Sequence, residues 1–194
     1  MTQFVAFEKN IEVNGSTILS VVKGAGVFEA SARKYLAKYG LDKVTDSADS
    51  WYPQQAWLDT FREIQTAVGP RTMFLIGKKI PESAVFPPQI KTVTDALAAI
   101  DVAYHMNHRK NGKPLFDGAT GKMTEGIGHY VFKKTDDSSG VVDCQNPYPC
   151  QFDMGIVAAM AERFSPGSVV THPADAPCRD RGAKSCAFTV KWKG

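Results

Sequence analysis

The sequence predicts an α+β fold with an antiparallel sheet, on three observations. Apolar residues recur at helical spacing through the first half of the chain, and β-rich segments crowd into the last third around one further helix. That grouping favours segregated helices and strands over a doubly wound parallel sheet. Gly24-Ala25-Gly26 lies between a strand-like and a helix-like stretch, but Glu29 stands where a dinucleotide fingerprint needs its third glycine, so the pair reads as a turn.

The elements follow in chain order. Residues 4–13 and 17–23 are β-rich and flank Asn14-Gly15, which predicts an opening hairpin. From Val27 to Tyr39 the positions Val27, Phe28, Ala32, Tyr35 and Leu36 mark a helix stopped by Gly40, with Glu29 set four residues before Arg33. A second helix starts after Pro53 and carries Trp57, Leu58, Phe61, Ile64 and Val68 to Gly69; a short third follows Pro70 with Met73, Phe74 and Ile76. Three prolines make 80–90 a connection. Val93 to His108 repeats Leu97, Ile100 and Tyr104 on one face, giving the longest helix. Gly112 to Gly128 is a turn or hairpin, His129 to Lys133 a strand, and Thr135 to Gly140 a solvent loop. The last third reads strand (Gly140–Asp143), proline loop, helix (Asp153–Phe164, with Asp153 as N-cap), strand (Ser168–Thr171), turn and strand (Cys186–Trp192).

The 194 residues fit one domain with a sizeable core. Hydrophobic residues make up 43% and charged residues 22%, as in ordinary soluble proteins, and the net charge of +3 is scattered. The densest basic spot, His108-Arg109-Lys110 with Lys113, is too small for a nucleic-acid or anionic-membrane footprint. The N-terminus has no leader pattern and no segment nears eighteen uninterrupted apolar residues, so a cytoplasmic protein without membrane insertion is expected. P-loop, Cys-x-x-Cys-His, Gly-x-Ser-x-Gly and His-Glu-x-x-His patterns are all missing, so no catalytic residue is assigned and a binding role is expected rather than an enzyme.

The four cysteines carry the most chemistry. In a reducing compartment they are free thiols or metal ligands rather than disulfides. Cys144 and Cys150 flank a Gln-Asn-Pro-Tyr-Pro loop, while Cys178 and Cys186 flank a turn that ends in a strand. Zinc takes four such donors in a tetrahedron, from four thiolates or from a mixed set in which His172 or Asp175 replaces one; separate buried thiols are the alternative. Asp101, His105 and His108 fall at i, i+4 and i+7 beside Tyr104, a spacing that suits a metal or haem ligand as well as a solvated face. His129 opens a strand at a sheet edge. Trp51, Tyr52, Trp57 and Phe61 are spaced as core, and one or two of them are expected to line a pocket.

The run Asp153 to Phe164, then Val169-Val170-Thr171, then Cys178-Arg179, Gly182, Cys186, Phe188 and Val190, resembles the C-terminal half of the 4-vinyl reductase domain. The likeness covers the last fifty or so residues; the first hundred and forty agree only in element order. It implies N-terminal helices packed on a twisted antiparallel sheet, the haem-NO-binding/TRAPP-like arrangement, with residues 1–194 as one ligand-binding domain: a helical part at 1–140 and a C-terminal core at 141–194. It also implies a small-molecule sensor like the aromatic-sensing domains of phenol-responsive activators, holding an apolar or aromatic ligand near Trp57, Phe61, Tyr104, His105 and Tyr130. A closed structural zinc is implied on Cys150, Asp175, Cys178 and Cys186. Asp175 stands where the family has glutamate, and Cys144 and His172 are the substitutes. A haem-based gas sensor using His105, His108 or His129, and a role in tetrapyrrole vinyl reduction, are the alternatives. With no output segment after Trp192, a signal is expected to pass through a homodimer or a separate partner.

Overall fold

A computed structural model describes residues 3–193. The fold is α+β: helices pack against a four-stranded antiparallel sheet ordered His129–Asp136, Ser139–Gln145, Cys186–Lys191, Val169–Thr171, and a second four-stranded antiparallel sheet is ordered Trp51–Pro53, Ile11–Asn14, His108–Lys110, Lys113–Pro114. No helix among the described residues is long and apolar enough to cross a membrane.

The chain opens with β1 (Ile11–Asn14) and α1 (Gly15–Gly24). Here the expected hairpin is corrected, because residues 17–23 are helical. Asn14 keeps extended angles, φ −64° and ψ 138°, and its side chain accepts from the Ser16 amide, so it caps a helix instead of turning a hairpin. Ile18, Leu19, Val21 and Val22 then fall on one buried face. β1 pairs with β2 (Trp51–Pro53) and β3 (His108–Lys110), and β3 pairs with β4 (Lys113–Pro114). α2 spans Glu29–Lys38 and starts later than expected; Val27 sits in a preceding 3-10 turn and is 94% exposed.

α3 (Gln54–Lys79) is two helical stretches joined at a kink, where Gly69 has φ 74° and Pro70 follows. Proline lacks an amide to continue the ladder, and glycine alone tolerates the left-handed turn. α4 (Val93–Met106) opens on a capping box between Thr92 and Asp95. The glycine-rich stretch after it forms a small hairpin of β5 (Phe116–Asp117) and β6 (Lys122–Met123). β7 (His129–Asp136) and β8 (Ser139–Gln145) pair along their length, so the solvent loop expected at 135–140 shrinks to a tight turn.

α5 (Cys150–Phe164) begins three residues before the expected start, with Pro149 at the N-cap position and no side chain capping it, and Asp153 lies buried inside its first turn rather than at the cap. β9 (Val169–Thr171) and β10 (Cys186–Lys191) complete the sheet, with Cys186 opposite Cys144 and Phe188 opposite Val142. α3 and α5 cross backbone to backbone: a Cβ on Gly77 would meet the Phe152 carbonyl at 2.1 Å, and one on Gly155 would meet the Phe74 carbonyl at 2.2 Å. The core lies between this crossing and the sheet, built from Trp57, Phe61, Ile64, Met73, Ile76, Leu97, Val157, Phe188 and Val190. Truncating a buried ring such as Phe61 to alanine costs about 3–5 kcal/mol in cores of this kind.

Candidate functional site

Between α1, α3, α4 and α5 the packing leaves a cavity of about 110 Å³. Trp57 and Phe61 of α3, Ile100 and Tyr104 of α4, Tyr130 of β7, Phe152 and Ile156 of α5, and Tyr148 and His108 form its walls. The helical period of each element supplies these residues: Trp57 and Phe61 are four apart and stack at 4.9 Å, and Phe61 meets Phe152 edge-on at 4.9 Å. Tyr104 touches Tyr130, Tyr148 and His108 edge-to-face, so aromatic rings nearly close one side.

The wall carries two ordered polar pairs: the Thr17 hydroxyl donates to Asn107 Oδ1 at 2.8 Å, and His108 meets Tyr148. His108 Nδ1 lies 2.7 Å from the Tyr104 carbonyl, which can only accept, so Nδ1 carries the proton and Nε2 accepts from the Tyr148 hydroxyl at 2.9 Å. Burial pushes the His108 pKa down to about 4, so the ring is neutral. The Gln54 and Trp57 side chains approach the Tyr148 hydroxyl as well. Burial raises the Tyr104 and Tyr130 phenols well above their ordinary range, so all three tyrosines facing the cavity stay protonated.

Behind Tyr130 lies a buried ion pair. Its hydroxyl donates to Asp153 Oδ1 at 2.6 Å, and Asp153 Oδ2 accepts from Arg179. Arg179 also donates to the carbonyls of Cys144 and Asn146 and to Asn146 Oδ1, so α5, the loop after β8 and the turn before β10 meet at one guanidinium. Burial opposes its charge, but the Asp153 carboxylate outweighs that and raises the Arg179 pKa.

The cysteines meet at the N-terminal end of α5. Cys150 Sγ lies 3.9 Å from Cys178 Sγ and 3.5 Å from His172 Nδ1, and Cys150 and Cys186 are within hydrogen-bonding reach. The bond from Cys150 is the largest influence on Cys186 and draws its thiol down to about 7. His172 Nε2 lies 2.9 Å from the Pro177 carbonyl, so Nε2 donates and Nδ1 is left with a lone pair facing the sulfurs. Metal-binding histidines are oriented by such a bond. Asp175, the acidic ligand implied by the resemblance, is exposed and stands outside this group; His172 occupies its place. Cys144 is buried on β8 and is also outside it, with burial raising its thiol, and Cys186 adjoins Cys150 without joining the three converging donors Cys150, His172 and Cys178.

Of the residues assigned to a ligand, the structure brings Trp57, Phe61, Tyr104 and Tyr130 to the cavity and leaves His105 beside it, buried against Tyr104 and His129. Sequence reasoning missed Tyr148, Phe152 and Ile156. The last two were findable from the α5 stripe, whereas Tyr148 sits in a proline loop without periodicity.

No family model matches the chain, and no curated protein matches it. The 4-vinyl reductase resemblance therefore rests on the C-terminal residues alone. Solved structures do match, and they define the class as the haem-NO-binding (H-NOX) fold. An H-NOX protein from S. oneidensis in the Fe(II) ligation state superposes with a TM-score of 0.62 at 11% identity, covering 93% of this chain and 96% of that one. An oxygen-binding H-NOX domain related to soluble guanylate cyclases gives 0.60 at 11% identity, covering 93% and 95%. A third structure, from work on haem distortion in the H-NOX family, gives 0.62 at 12% identity over 93% and 95%. At this identity the likeness establishes the fold.

The residues present do not fit a haem in this cavity. Its roughly 110 Å³ falls below the pockets of about 300–1,000 Å³ that hold drug-sized ligands. The histidine on its wall, His108, has both nitrogens bonded. His129 is held by Asp101 and Glu125, and His105, whose Nε2 is buried without a partner, does not line the space.

Proposed function

We propose that this chain is a small-molecule sensor domain of the H-NOX fold that holds one small apolar or aromatic ligand in the cavity between α3, α4 and α5. The observation that carries this reading is the cavity: aromatic walls, a volume of about 110 Å³, and polar pairs already satisfied within the protein. An engineered apolar cavity of about 150 Å³ stays dry and binds benzene or xenon, so a single ring or smaller body is the matching size. Affinity would come from removing apolar area from water, at roughly 25 cal/mol per Å².

A zinc ion on Cys150, Cys178, Cys186 and His172 completes the proposal. Three thiols and an imidazole match a closed structural site, and four protein donors leave no position for an activated water. The ion would tie the start of α5 to the turn before β10.

A haem-based gas sensor is the second reading, favoured by the fold neighbours and by the unpartnered Nε2 of His105. Two measurements on the purified chain separate the readings. Titration with benzene is expected to shift the tryptophan fluorescence and saturate, while added hemin gives no Soret shift; a stoichiometric Soret band with no benzene binding would overturn the apolar-ligand reading. Elemental analysis is expected to find one zinc per chain, with affinity falling about a hundredfold or more in His172→Ala, since outer-shell losses alone cost 10- to 100-fold. Unchanged zinc content in that variant would exclude His172 as a ligand.

A further inference from the structure

A second group of donors lies where α4 meets β7, away from the thiols. Asp101 Oδ2 is 2.9 Å from His129 Nδ1, and the His105 and His129 rings lie with their centroids 4.9 Å apart; one donor atom from each residue lies within 4.8 Å of the other two. We propose that Asp101, His105 and His129 bind an exchangeable divalent ion of the zinc, cobalt or nickel class.

Three features support a site rather than a chance contact. First, His105 is wholly buried and its Nδ1 lies 2.9 Å from the Asp101 carbonyl, so that nitrogen donates and Nε2 keeps a lone pair with no partner. A buried acceptor left unbonded destabilises the fold, and a bound ion removes that penalty. Second, the supporting bonds that orient metal ligands are in place. The Tyr130 amide donates to Asp101 Oδ1 at 2.9 Å, and Glu125 sits 3.0 Å from His129 Nε2. Third, two imidazoles and one carboxylate are a donor set used by first-row divalent ions at sites with open positions. The side chains of Asp101 and His129 are 17% and 25% exposed, so an ion has a path in and a remaining coordination position can face water. The site also has a place in the fold: Tyr104 and Tyr130, each next in sequence to a ligand, line the cavity, so the ion would clamp two of its walls.

The test is a cobalt(II) titration of zinc-loaded protein, followed by visible absorption and by NMR of the histidine rings. One equivalent is expected to bind with weak d–d bands and no sulfur charge transfer, broadening the His105 and His129 ring signals first. His129→Gln is expected to weaken binding at least tenfold, and Cys178→Ser to leave it unchanged. Should His129→Gln not fold, the ring broadening in the natural chain decides. No saturable binding, sulfur charge transfer alone, broadening confined to His172, or binding by His129→Gln as tight as by the natural chain would overturn the proposal. The ring signals report this site whether or not the thiols hold zinc, so the two metal readings fail separately.

Discussion

The cysteine corner and the aromatic cavity share helix α5, since Cys150 starts it and Phe152 and Ile156 line the cavity. They differ in what each leaves unfinished. At the corner, sulfur and imidazole donors converge with lone pairs facing one another. In the cavity, His108 and Tyr148 spend their hydrogen bonds on each other and on backbone, and what remains is space. The corner gathers soft donors that bond to one another, whereas the cavity gathers satisfied walls around space. Each prediction below alters one side of that contrast.

The largest effect is expected from Asp153→Ala. It strands the Arg179 guanidinium, 1% exposed at its side chain, without its carboxylate, and breaking a buried pair costs about 3–5 kcal/mol. Urea denaturation measures this, and a loss below about 1 kcal/mol would show that the network does not join α5 to the C-terminal turn. Acid comes next. His108 titrates near 4 in the fold and near 6.5 when unfolded, so between those values the unfolded chain binds a proton that the native chain refuses. Its contribution is present above pH 6.5 and is lost as pH falls towards 4, amounting to about 3 kcal/mol. His108→Gln should flatten the stability curve across that window; an equally steep curve would place the acid sensitivity elsewhere.

Tyr148→Phe removes the donor to His108 Nε2 and leaves a buried acceptor unbonded, at about 1–3 kcal/mol. The same change should raise the ring's pKa less than exposure would, which NMR titration of His108 reads directly. The smallest stability change is expected for Val21→Phe, which pushes a ring into the cavity. Thermal stability should shift by about 1–3 kcal/mol at most while benzene binding disappears. Retained binding would move the ligand to another site.

These contrasts show what the sequence made legible. α3, α4 and α5 are readable because Trp57/Phe61, Leu97/Ile100/Tyr104 and Ile156/Val157/Met160 repeat at the helical period, and β10 because Cys186, Phe188 and Val190 alternate towards the core. α1 was not, since Asn14-Gly15 is a strong hairpin signal on local grounds. What decides the outcome is remote: Gly15 packs where a Cβ would strike the Thr45 carbonyl at 2.1 Å, which holds the chain in the helix start. Asp153 reads as a cap until Arg179, 26 residues away, claims its carboxylate. The choice of His172 over Asp175 likewise depends on the path of the 172–177 loop, which has no period to read. His108 and Tyr148, 40 residues apart, meet only once the sheet and helices have closed.

The glycine crossing of α3 and α5 has a mechanical consequence. Where Gly77 meets Gly155 no side chain fills the crossing, so the second stretch of α3, after the kink at Gly69, lies directly on the start of α5. Trp57 and Phe61 stand before that kink while Phe152 and Ile156 flank the crossing, so the width of the chamber follows from how closely the two backbones approach, and any side chain larger than hydrogen at either glycine would pry its walls apart.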